Sequence, residues 1–337
     1  MRNFHSEGMS LDTVYLGGGT PSQLTIDQLR QLFLYINKVY APHLSLDDDW
    51  GEMEVTLECN PDDVTPEFAT ALRSLPVNRV SMGAQTFNDH RLHFLHRRHA
   101  AGQIPVAVER LRSAGIRNIS IDLMFGFPEE TIEDWHHDID CALALDVEHL
   151  SAYSLMYEEG TPLYRQLEQG AVSEVDEELS RRMYYDLIDR LAAAGYEHYE
   201  ISNFARPGYC SRHNSSYWNQ TPYIGLGAAA HSYDGGCRRW NVDDLERYMI
   251  GIETGRSDYE MEEIDDDTRY NDIVMTALRT CEGLDLQQLS SPQRDYCLQQ
   301  ARRYVDDGLL IYEKSHLRLS RRGLYVSDMI MADLMMV

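Results

Sequence analysis

Polar and glycine residues that could bind a small charged ligand occur where short apolar runs of the sequence end. These residues are Gly17, Gly18, Gly19, Thr20, Glu58 and Gln85, and Asp122 lies within another such run. Glycines let backbone amides approach a ligand closely, while carboxylates and an amide can hydrogen-bond hydroxyl and ammonium groups. An unpaired carboxylate in a buried strand is costly, so Asp122 needs a donor partner, and Arg97 is a candidate. Together these residue types suit a ribose and an amino acid zwitterion.

Strand-like and helix-like runs alternate along the first two thirds of the chain, which predicts βα units and a parallel sheet. Helix signals lie between them, such as a capping box from Thr25 to Gln28, Thr65-Pro66 at a helix start and Gly115 after a helix end. Because ligands bind at the carboxyl ends of parallel strands, the polar residues above are predicted to converge there. The runs expected to form strands are Thr13–Leu16, Met53–Glu58, Arg79–Gly83, Ile119–Phe125, His149–Met156 and Tyr199–Phe204.

The fold class predicted from this pattern is α/β, with five or six parallel strands in an open or partial barrel. The alternation stops after Asn241, and an acidic connector is expected over Asp258–Asp267. Two helices and a hairpin then suggest a small winged-helix-like domain. We therefore expect a barrel over residues 1–205, a connecting segment over 206–257 and the C-terminal domain over 258–337.

Charge and composition narrow the possible partners. The 337-residue chain has a net charge of −25, from 55 acidic and 30 basic residues, which would repel a phosphate backbone and argues against nucleic acid as a partner. No apolar run approaches the ~20 residues of a membrane span. The first ten residues lack the apolar segment of a secretory signal, so a cytoplasmic location is expected. The six cysteines show no metal-ligand spacing and are expected to be reduced thiols.

Gly17-Gly-Gly-Thr-Pro21 resembles the GGGTP motif of the radical S-adenosylmethionine (SAM) superfamily. The sequences around Glu58 (Glu-Cys-Asn-Pro), Gln85 (Ser-Met-Gly-Ala-Gln-Thr-Phe), Arg97 (Leu-His-Arg-Arg-His) and Asp122 (Asp-Leu-Met-Phe-Gly-Phe-Pro) are similar to its oxygen-independent coproporphyrinogen III oxidase-like branch. His96 stands where members of that branch usually have glycine. The resemblance implies a radical-SAM-type (β/α)6 barrel in which SAM is bound by Gly17, Gly18, Gly19, Thr20, Glu58, Gln85, Arg97 and Asp122.

A second group of residues resembles the HemW family of heme chaperones within that branch. His213-Asn-Ser-Ser-Tyr217-Trp218 is similar to the family's HNxxYW signature, and the segment from Tyr223 to Ser232 matches the same group. The resemblance implies that His213 is a candidate ligand of heme iron, with His231 as a second candidate. An imidazole can ligate heme iron axially, and Tyr217 and Trp218 offer flat apolar surface to a macrocycle.

Members of the superfamily carry a C-x-x-x-C-x-x-C loop before GGGTP, and its three thiolates bind a 4Fe–4S cluster. This sequence has no cysteine before Cys59 and only sixteen residues before Gly17, so the first βα unit and the cluster ligands are missing from it. Radical chemistry and cluster absorbance are therefore not expected of the chain as given. Two explanations are open: a truncated reading frame that starts at an internal methionine, or a degenerate paralogue that has lost the cluster.

Three functions follow from the resemblance. The first is a heme chaperone that binds heme and delivers it to an unidentified acceptor protein, with SAM and a 4Fe–4S cluster as accessory cofactors of the complete protein. The second is an enzyme of heme biosynthesis, the oxygen-independent coproporphyrinogen III oxidase. The third is an inactive scaffold without a cluster. The HNxxYW signature and the short C-terminal domain favour the chaperone.

Overall fold

The computed structural model describes residues 11–40, 50, 52–256 and 258–336, which divide into two compact units, Ser10–His213 and Asn214–Val337. Residues 1–10, on which the expectation of no secretory signal depends, lie outside the described residues. The three segments expected from the sequence stay a proposal, because one compact unit can contain more than one of them. Within the described residues, no helix is both long and apolar enough to cross a membrane.

The first unit contains a seven-stranded sheet whose order is β1-β2-β3-β4-β5-β7-β6. Strands β1 to β5 pair in parallel with their neighbours, whereas β7 pairs antiparallel with both β5 and β6. This arrangement confirms the predicted α/β partial barrel. The strands are β1 (Thr13–Leu16), β2 (Glu54–Cys59), β3 (Arg79–Gln85), β4 (Asn118–Phe125), β5 (His149–Ser154), β6 (Glu197–Glu200) and β7 (Asn203–Ala205).

Helices connect the parallel strands, and their starts follow the local sequence signals. Gln28 Oε1 accepts a hydrogen bond from the Thr25 backbone N–H at 2.8 Å, and Thr65 Oγ1 accepts one from Phe68 N at 3.1 Å, so both predicted caps are confirmed. Gly115 has φ 95° after a helix end, as expected. The helices are α1 (Ile26–Tyr40), α2 (Pro66–Leu72), α3 (Asp89–Phe94), α4 (Gln103–Ser113), α5 (Ile132–Ala144), α6 (Pro162–Glu168), α7 (Glu177–Ala193) and α8 (Arg212–Trp218).

The two faces of the parallel sheet differ in chemistry. One face carries apolar side chains that are buried, such as Val55, Val80 and Ile121. The alternate positions carry polar side chains, and Glu58, Ser81, Ser120 and His149 form one row across four neighbouring strands. Successive side chains of a strand point to opposite faces, so this alternation separates a core packed by helices from a polar interior suited to a ligand.

The second unit contains two small antiparallel sheets of three strands each, with orders β10-β9-β8 and β11-β13-β12. Helix α10 packs on β11 and β13, α11 packs on β12, and α13 packs on α10 and α11, which fits the predicted winged-helix-like arrangement. The elements are β8 (His231–Tyr233), β9 (Cys237–Asn241), α9 (Leu245–Thr254), β10 (Tyr259–Glu263), α10 (Asp266–Leu278), β11 (Leu284–Asp285), α11 (Ser291–Asp306), β12 (Leu310–Glu313), β13 (His316–Leu319), α12 (Arg321–Leu324) and α13 (Ser327–Leu334).

Two expectations about these elements were wrong in detail. The run Tyr199–Phe204 is not one further parallel strand, because it contains a turn between β6 and β7, where Glu200 accepts a hydrogen bond from Ser202 N at 3.0 Å. The acidic connector over Asp258–Asp267 contains strand β10, which pairs antiparallel with β9 over all five of its residues. β10 is an edge strand, and acidic side chains are common on such strands because they discourage pairing with other chains.

Candidate functional site

The glycine turn after β1 meets the end of β2. Gly18 N donates a hydrogen bond to Glu58 Oε2 at 3.2 Å, so the backbone of the turn and the first candidate carboxylate are in contact. Gly18 and Gly19 have φ values of 75° and 67°, a conformation that glycine adopts without strain. No atom lies within 4 Å of a Cβ placed on either glycine, which leaves open space beside the turn. Thr20 ends the turn, with its carbonyl accepting a hydrogen bond from Gln23 N at 3.0 Å.

Tyr15 contacts the same carboxylate from the inner face of β1. Its hydroxyl donates to Glu58 Oε1 at 2.7 Å. A Cβ on Gly17 would lie 2.4 Å from Tyr15 Cε1 and 2.9 Å from Glu58 Oε1, so only glycine fits at this position. The first glycine of the triplet is therefore needed for close packing, while the second and third are needed for backbone conformation.

Gln85 and Arg97 converge at the end of β3. A Cβ on Gly83 would lie 2.7 Å from Gln85 Nε2 and 3.7 Å from Arg97 Nη1, so both side chains pass close to this glycine. Arg97 Nη1 donates to Asn60 Oδ1 at 3.3 Å, which joins this group to the end of β2. Gln85 is buried and has φ 67°, a conformation rare for residues other than glycine and frequent at functional sites.

His96, which stands where the family usually has glycine, has a backbone conformation that glycine favours. It follows helix α3 with φ 55°, in the left-handed region where a helix commonly ends on glycine. The Arg97 backbone N–H then bonds to the Leu92 carbonyl at 2.9 Å, which completes the turn. The turn thus has the conformation that glycine favours and still directs Arg97 toward Asn60 and Gly83.

Asp122 lies on β4 with several charged neighbours. Burial raises the pKa of Asp122 to about 6, while a hydrogen bond from Ser151 and the positive charges of Arg79 and Arg97 act in the opposite direction. The predicted need for a donor is met by Ser151 on the neighbouring strand, and Arg97 contributes its charge instead of the hydrogen bond. Asp122 therefore titrates between its usual range and neutral pH.

The carboxyl ends of β1 to β4 thus bring together two carboxylates, an amide, a guanidinium and exposed backbone amides within one unit. This donor and acceptor set matches the hydroxyl, ammonium and carboxylate groups of SAM, and the open space at Gly18 and Gly19 leaves room for a ligand. The sequence-based site residues from Gly17 to Asp122 lie together at this edge of the sheet.

Comparison with known proteins shows the family of the chain. Residues 1–142 match the Radical SAM superfamily, and residues 264–326 match the HemN C-terminal domain. The heme chaperone HemW of Bacillus subtilis is 38% identical over 81% of this chain and 71% of its own length. The heme chaperone HemW of Mycobacterium tuberculosis strain H37Rv is 33% identical over 97% of this chain and 81% of its own length. The chain belongs to the HemW family.

A solved structure supports the same fold. The coproporphyrinogen III oxidase HemN of Escherichia coli, described as a radical SAM enzyme, superposes with a TM-score of 0.79 over 96% of this chain and 77% of its own length. The two sequences are 19% identical, so this likeness concerns the fold alone.

The HemW signature histidine, His213, lies in the first unit near the beginning of α8. Its Nδ1 is hydrogen-bonded to Thr13 Oγ1 at 2.8 Å, and its ring stacks on Tyr15 with centroids 4.7 Å apart. The buried carboxylate of Glu54, at the start of β2, accepts hydrogen bonds from the backbone N–H groups of Arg212 at 2.9 Å and His213 at 3.0 Å. Two strands of the sheet therefore fix both the backbone and the ring of His213.

The other HemW-signature residues lie in the second unit, each with a different aromatic or cationic neighbour. Tyr217 meets Tyr223 edge to face at 4.9 Å. The guanidinium of Arg279 lies 4.8 Å from the centroid of the Trp218 ring and covers one of its faces. The exposed His231 stacks on Trp240 at 5.9 Å. One face of Trp218 is thus already covered by protein.

The cysteines do not form a cluster site. Among the described residues, no group of three or more His, Cys, Asp or Glu side chains is placed to hold a metal ion. Cys59, on β2, is buried, and burial raises the pKa of its thiol well above the usual value, so it stays protonated. The described residues therefore include no ligand set for an iron–sulfur cluster.

The sequence analysis did not identify the residues that hold the candidate site residues in place. Tyr15, Glu54 and Ser151 each hold one of the candidate residues, and Arg79 places a buried positive charge on the same face of β3. Their signal was available in part, because all four occupy inward positions of the predicted strands. Their partners lie up to 159 positions away, as for Glu54 and His213, so spacing alone could not identify them.

Proposed function

We propose that this chain is a heme chaperone, which binds heme through His213 and transfers it to an acceptor protein. The observation that carries the proposal is the environment of His213, the signature histidine of the family, which is held by Thr13, Tyr15 and Glu54. A heme ligand needs an imidazole of fixed orientation, and a hydrogen bond at one ring nitrogen provides it. The relatives named heme chaperone HemW support the same function.

The protonation state of His213 suits iron binding. Burial lowers the pKa of His213, so its imidazole is neutral at pH 7. We assign Nε2 of His213 as the iron-binding nitrogen, in the tautomer whose Nδ1–H donates to Thr13 Oγ1. We assign Tyr217 and Trp218 to contacts with the porphyrin plane, and His231 is the alternative ligand.

The residues at the strand ends form our proposed SAM site. Arg97 and the Gln85 amide can pair with the carboxylate of the cofactor. Glu58 and Asp122 can accept hydrogen bonds from its hydroxyl and ammonium groups, and Gly17, Gly18, Gly19 and Thr20 let it approach the backbone. The 4Fe–4S cluster expected of the family supplies an electron to SAM when bound, and none of the described residues is assigned to it.

Two further parts of the proposal concern the cellular location of the protein and its partner. We assign the chain to the cytoplasm, on its acidic composition and its six expected free thiols. The partner that receives the heme is an unidentified acceptor protein, and nucleic acid is not among the proposed partners.

Titration of the purified protein with hemin tests heme binding. We expect the Soret band to shift and to saturate, and His213→Ala to weaken binding by at least about tenfold, which corresponds to about 1.4 kcal/mol. His231→Ala is the matched control, because it removes the other signature histidine and should leave the affinity within about twofold. An unchanged hemin spectrum in the wild-type protein would contradict the proposal, and a loss on His231→Ala alone would move the ligand to that residue.

A further inference from the structure

Tyr15 touches both proposed sites. Its hydroxyl donates to Glu58 Oε1 at 2.7 Å in the proposed SAM site, and its ring stacks on His213, with centroids 4.7 Å apart and planes 20° apart. We propose that Tyr15 is a positioning residue shared by the two sites, so that a ligand on Glu58 changes the mobility and the ligand affinity of the His213 ring. This inference rests on the SAM and heme sites proposed above.

The surroundings of Tyr15 leave it little freedom to move independently. On one side, Gly17 has no Cβ, and an added one would lie 2.4 Å from Tyr15 Cε1. On the other side, the His213 ring is held by its hydrogen bond to Thr13 at 2.8 Å, and Thr13 lies two residues before Tyr15 on the same face of β1. Thr13 and Tyr15 therefore hold His213 together, and a shift of Tyr15 reaches the imidazole directly.

A ligand on Glu58 necessarily affects Tyr15. Both oxygens of the Glu58 carboxylate already accept a hydrogen bond, Oε1 from Tyr15 and Oε2 from Gly18 N at 3.2 Å. A ligand hydroxyl that bonds to Glu58 must use a second lone pair of one of these oxygens, which fixes the carboxylate and the donor that shares it.

Whether SAM strengthens or weakens heme binding follows from how it changes the mobility of Tyr15. Ordering of Glu58 by SAM orders Tyr15, and an ordered Tyr15 ring reduces the entropy that His213 loses on binding iron. SAM should therefore tighten heme binding, and by thermodynamic linkage heme should tighten SAM binding by the same factor. Couplings of this kind are commonly about fivefold or more.

The test compares hemin affinity with and without saturating SAM in three proteins. In the wild type we expect SAM to increase the affinity by about fivefold. Tyr15→Phe keeps the ring on His213 but loses the hydrogen bond to Glu58, so the ratio of its hemin affinities with and without SAM should be less than about twofold, whatever its affinity for hemin alone. Tyr184→Phe is the matched control, because it removes a hydroxyl in the same unit that donates to the Ile201 carbonyl at 2.8 Å, and its coupling should equal that of the wild type.

A second readout separates this inference from heme binding itself. The rate at which diethyl pyrocarbonate modifies His213, followed by peptide mass spectrometry, needs no heme. We expect SAM to slow this modification in the wild type and in Tyr184→Phe, but not in Tyr15→Phe. Equal coupling in the wild type and Tyr15→Phe would overturn the inference, as would a wild-type His213 whose reactivity is the same with and without SAM. A protein that fails to bind hemin but shows the SAM-dependent protection would refute only the heme site.

Discussion

Asp122, in the proposed SAM site, has a pKa that burial moves towards neutral pH. Burial on β4 raises its pKa to about 6, although Ser151, Arg79 and Arg97 stabilise the ionised carboxylate and act in the opposite direction. A raised carboxyl pKa means that the fold favours the protonated form. The free energy of unfolding therefore falls as pH rises from the usual value of 3.8 to about 6, and the ionised acceptor is fully present only above that window.

This behaviour predicts a pH-dependent SAM affinity. Ionised Asp122 accepts hydrogen bonds from the ligand and protonated Asp122 accepts them poorly, so the affinity should fall about tenfold per pH unit below pH 6. Isothermal titration calorimetry between pH 5 and 8 measures this dependence. Asp122→Asn should bind more weakly at pH 8 and lose the dependence, whereas the exposed Asp140→Asn should retain it. A wild-type affinity that is constant across this range would exclude an ionised Asp122 from the site.

The glycine triplet predicts different effects at neighbouring positions. Gly17→Ala places a Cβ 2.4 Å from Tyr15 and should displace the Tyr15–Glu58 pair, destabilise the fold by about 1–3 kcal/mol and abolish measurable SAM binding. Gly19→Ala meets no atom within 4 Å, so its cost is about 1–2 kcal/mol of left-handed backbone strain. Urea unfolding and SAM titration of both variants measure the difference. If Gly17→Ala bound SAM like the wild type, the close packing inferred at Gly17 would be wrong.

For single residues, the sequence predicts which kind of interaction a side chain needs better than it predicts which residue provides that interaction. A carboxylate in an apolar run indicates that Asp122 needs a donor, but the donor is Ser151, on the next strand. Gln85 gives no sign of its left-handed backbone, because that conformation results from a register shift between Met82 and Gln85 in the pairing of β3 with β4. Such features depend on tertiary contacts.

At the scale of elements, α8 begins on a carboxylate that belongs to a different part of the chain. Glu54, at the start of β2, accepts hydrogen bonds from the backbone N–H groups of Arg212 and His213 in the first turn of the helix. A negative charge at a helix N-terminus also interacts favourably with the helix dipole. Strand β2 therefore determines where α8, the helix that carries the signature histidine, begins.

This capping arrangement predicts coupled losses of stability and heme affinity. Glu54→Ala leaves two N–H groups without an acceptor and should lower the free energy of unfolding by about 2–3 kcal/mol, and it should weaken hemin binding because His213 loses its anchor. Thr65→Ala is a matched control that removes the cap of α2 and costs about 1 kcal/mol. Chemical denaturation and hemin titration measure both effects. Equal hemin affinities in the two variants would show that Glu54 stabilises α8 without positioning His213.

Elements with local signals were predictable, and those defined by distant pairing were not. Thr25, Thr65 and Gly115 mark helix ends through neighbours within four residues, and all three are confirmed. The turn between β6 and β7 has no Gly or Asn-Gly signal and depends on the Glu200 side chain, so the run was predicted as one strand. Strand β10 is rich in acidic residues and has an exposed edge, a composition that also fits a connector.

At the scale of the whole molecule, the architecture changes near His213, earlier than the change in sequence pattern predicted after Asn241, because β8 and β9 already belong to an antiparallel sheet of the second unit. Parallel βα units occupy the first unit, and small antiparallel sheets with helices occupy the second. Membership of the HemW family supports one function for the assembled chain, and the residues proposed to carry it lie in both units. The role of His213 as an iron ligand is the central claim, because the positions of Thr13, Tyr15 and Glu54 acquire their function through it.

A comparison of hemin with iron-free protoporphyrin IX tests that claim most directly, because the two ligands share the same ring and propionates and differ in the metal. Equilibrium affinities of both ligands would be measured by absorbance titration in the wild type and in His213→Ala. We predict that the wild type binds hemin at least about tenfold more tightly than the iron-free ring, and that this preference disappears in His213→Ala. Equal affinities of the wild type for the two ligands would contradict the claim that His213 binds the iron.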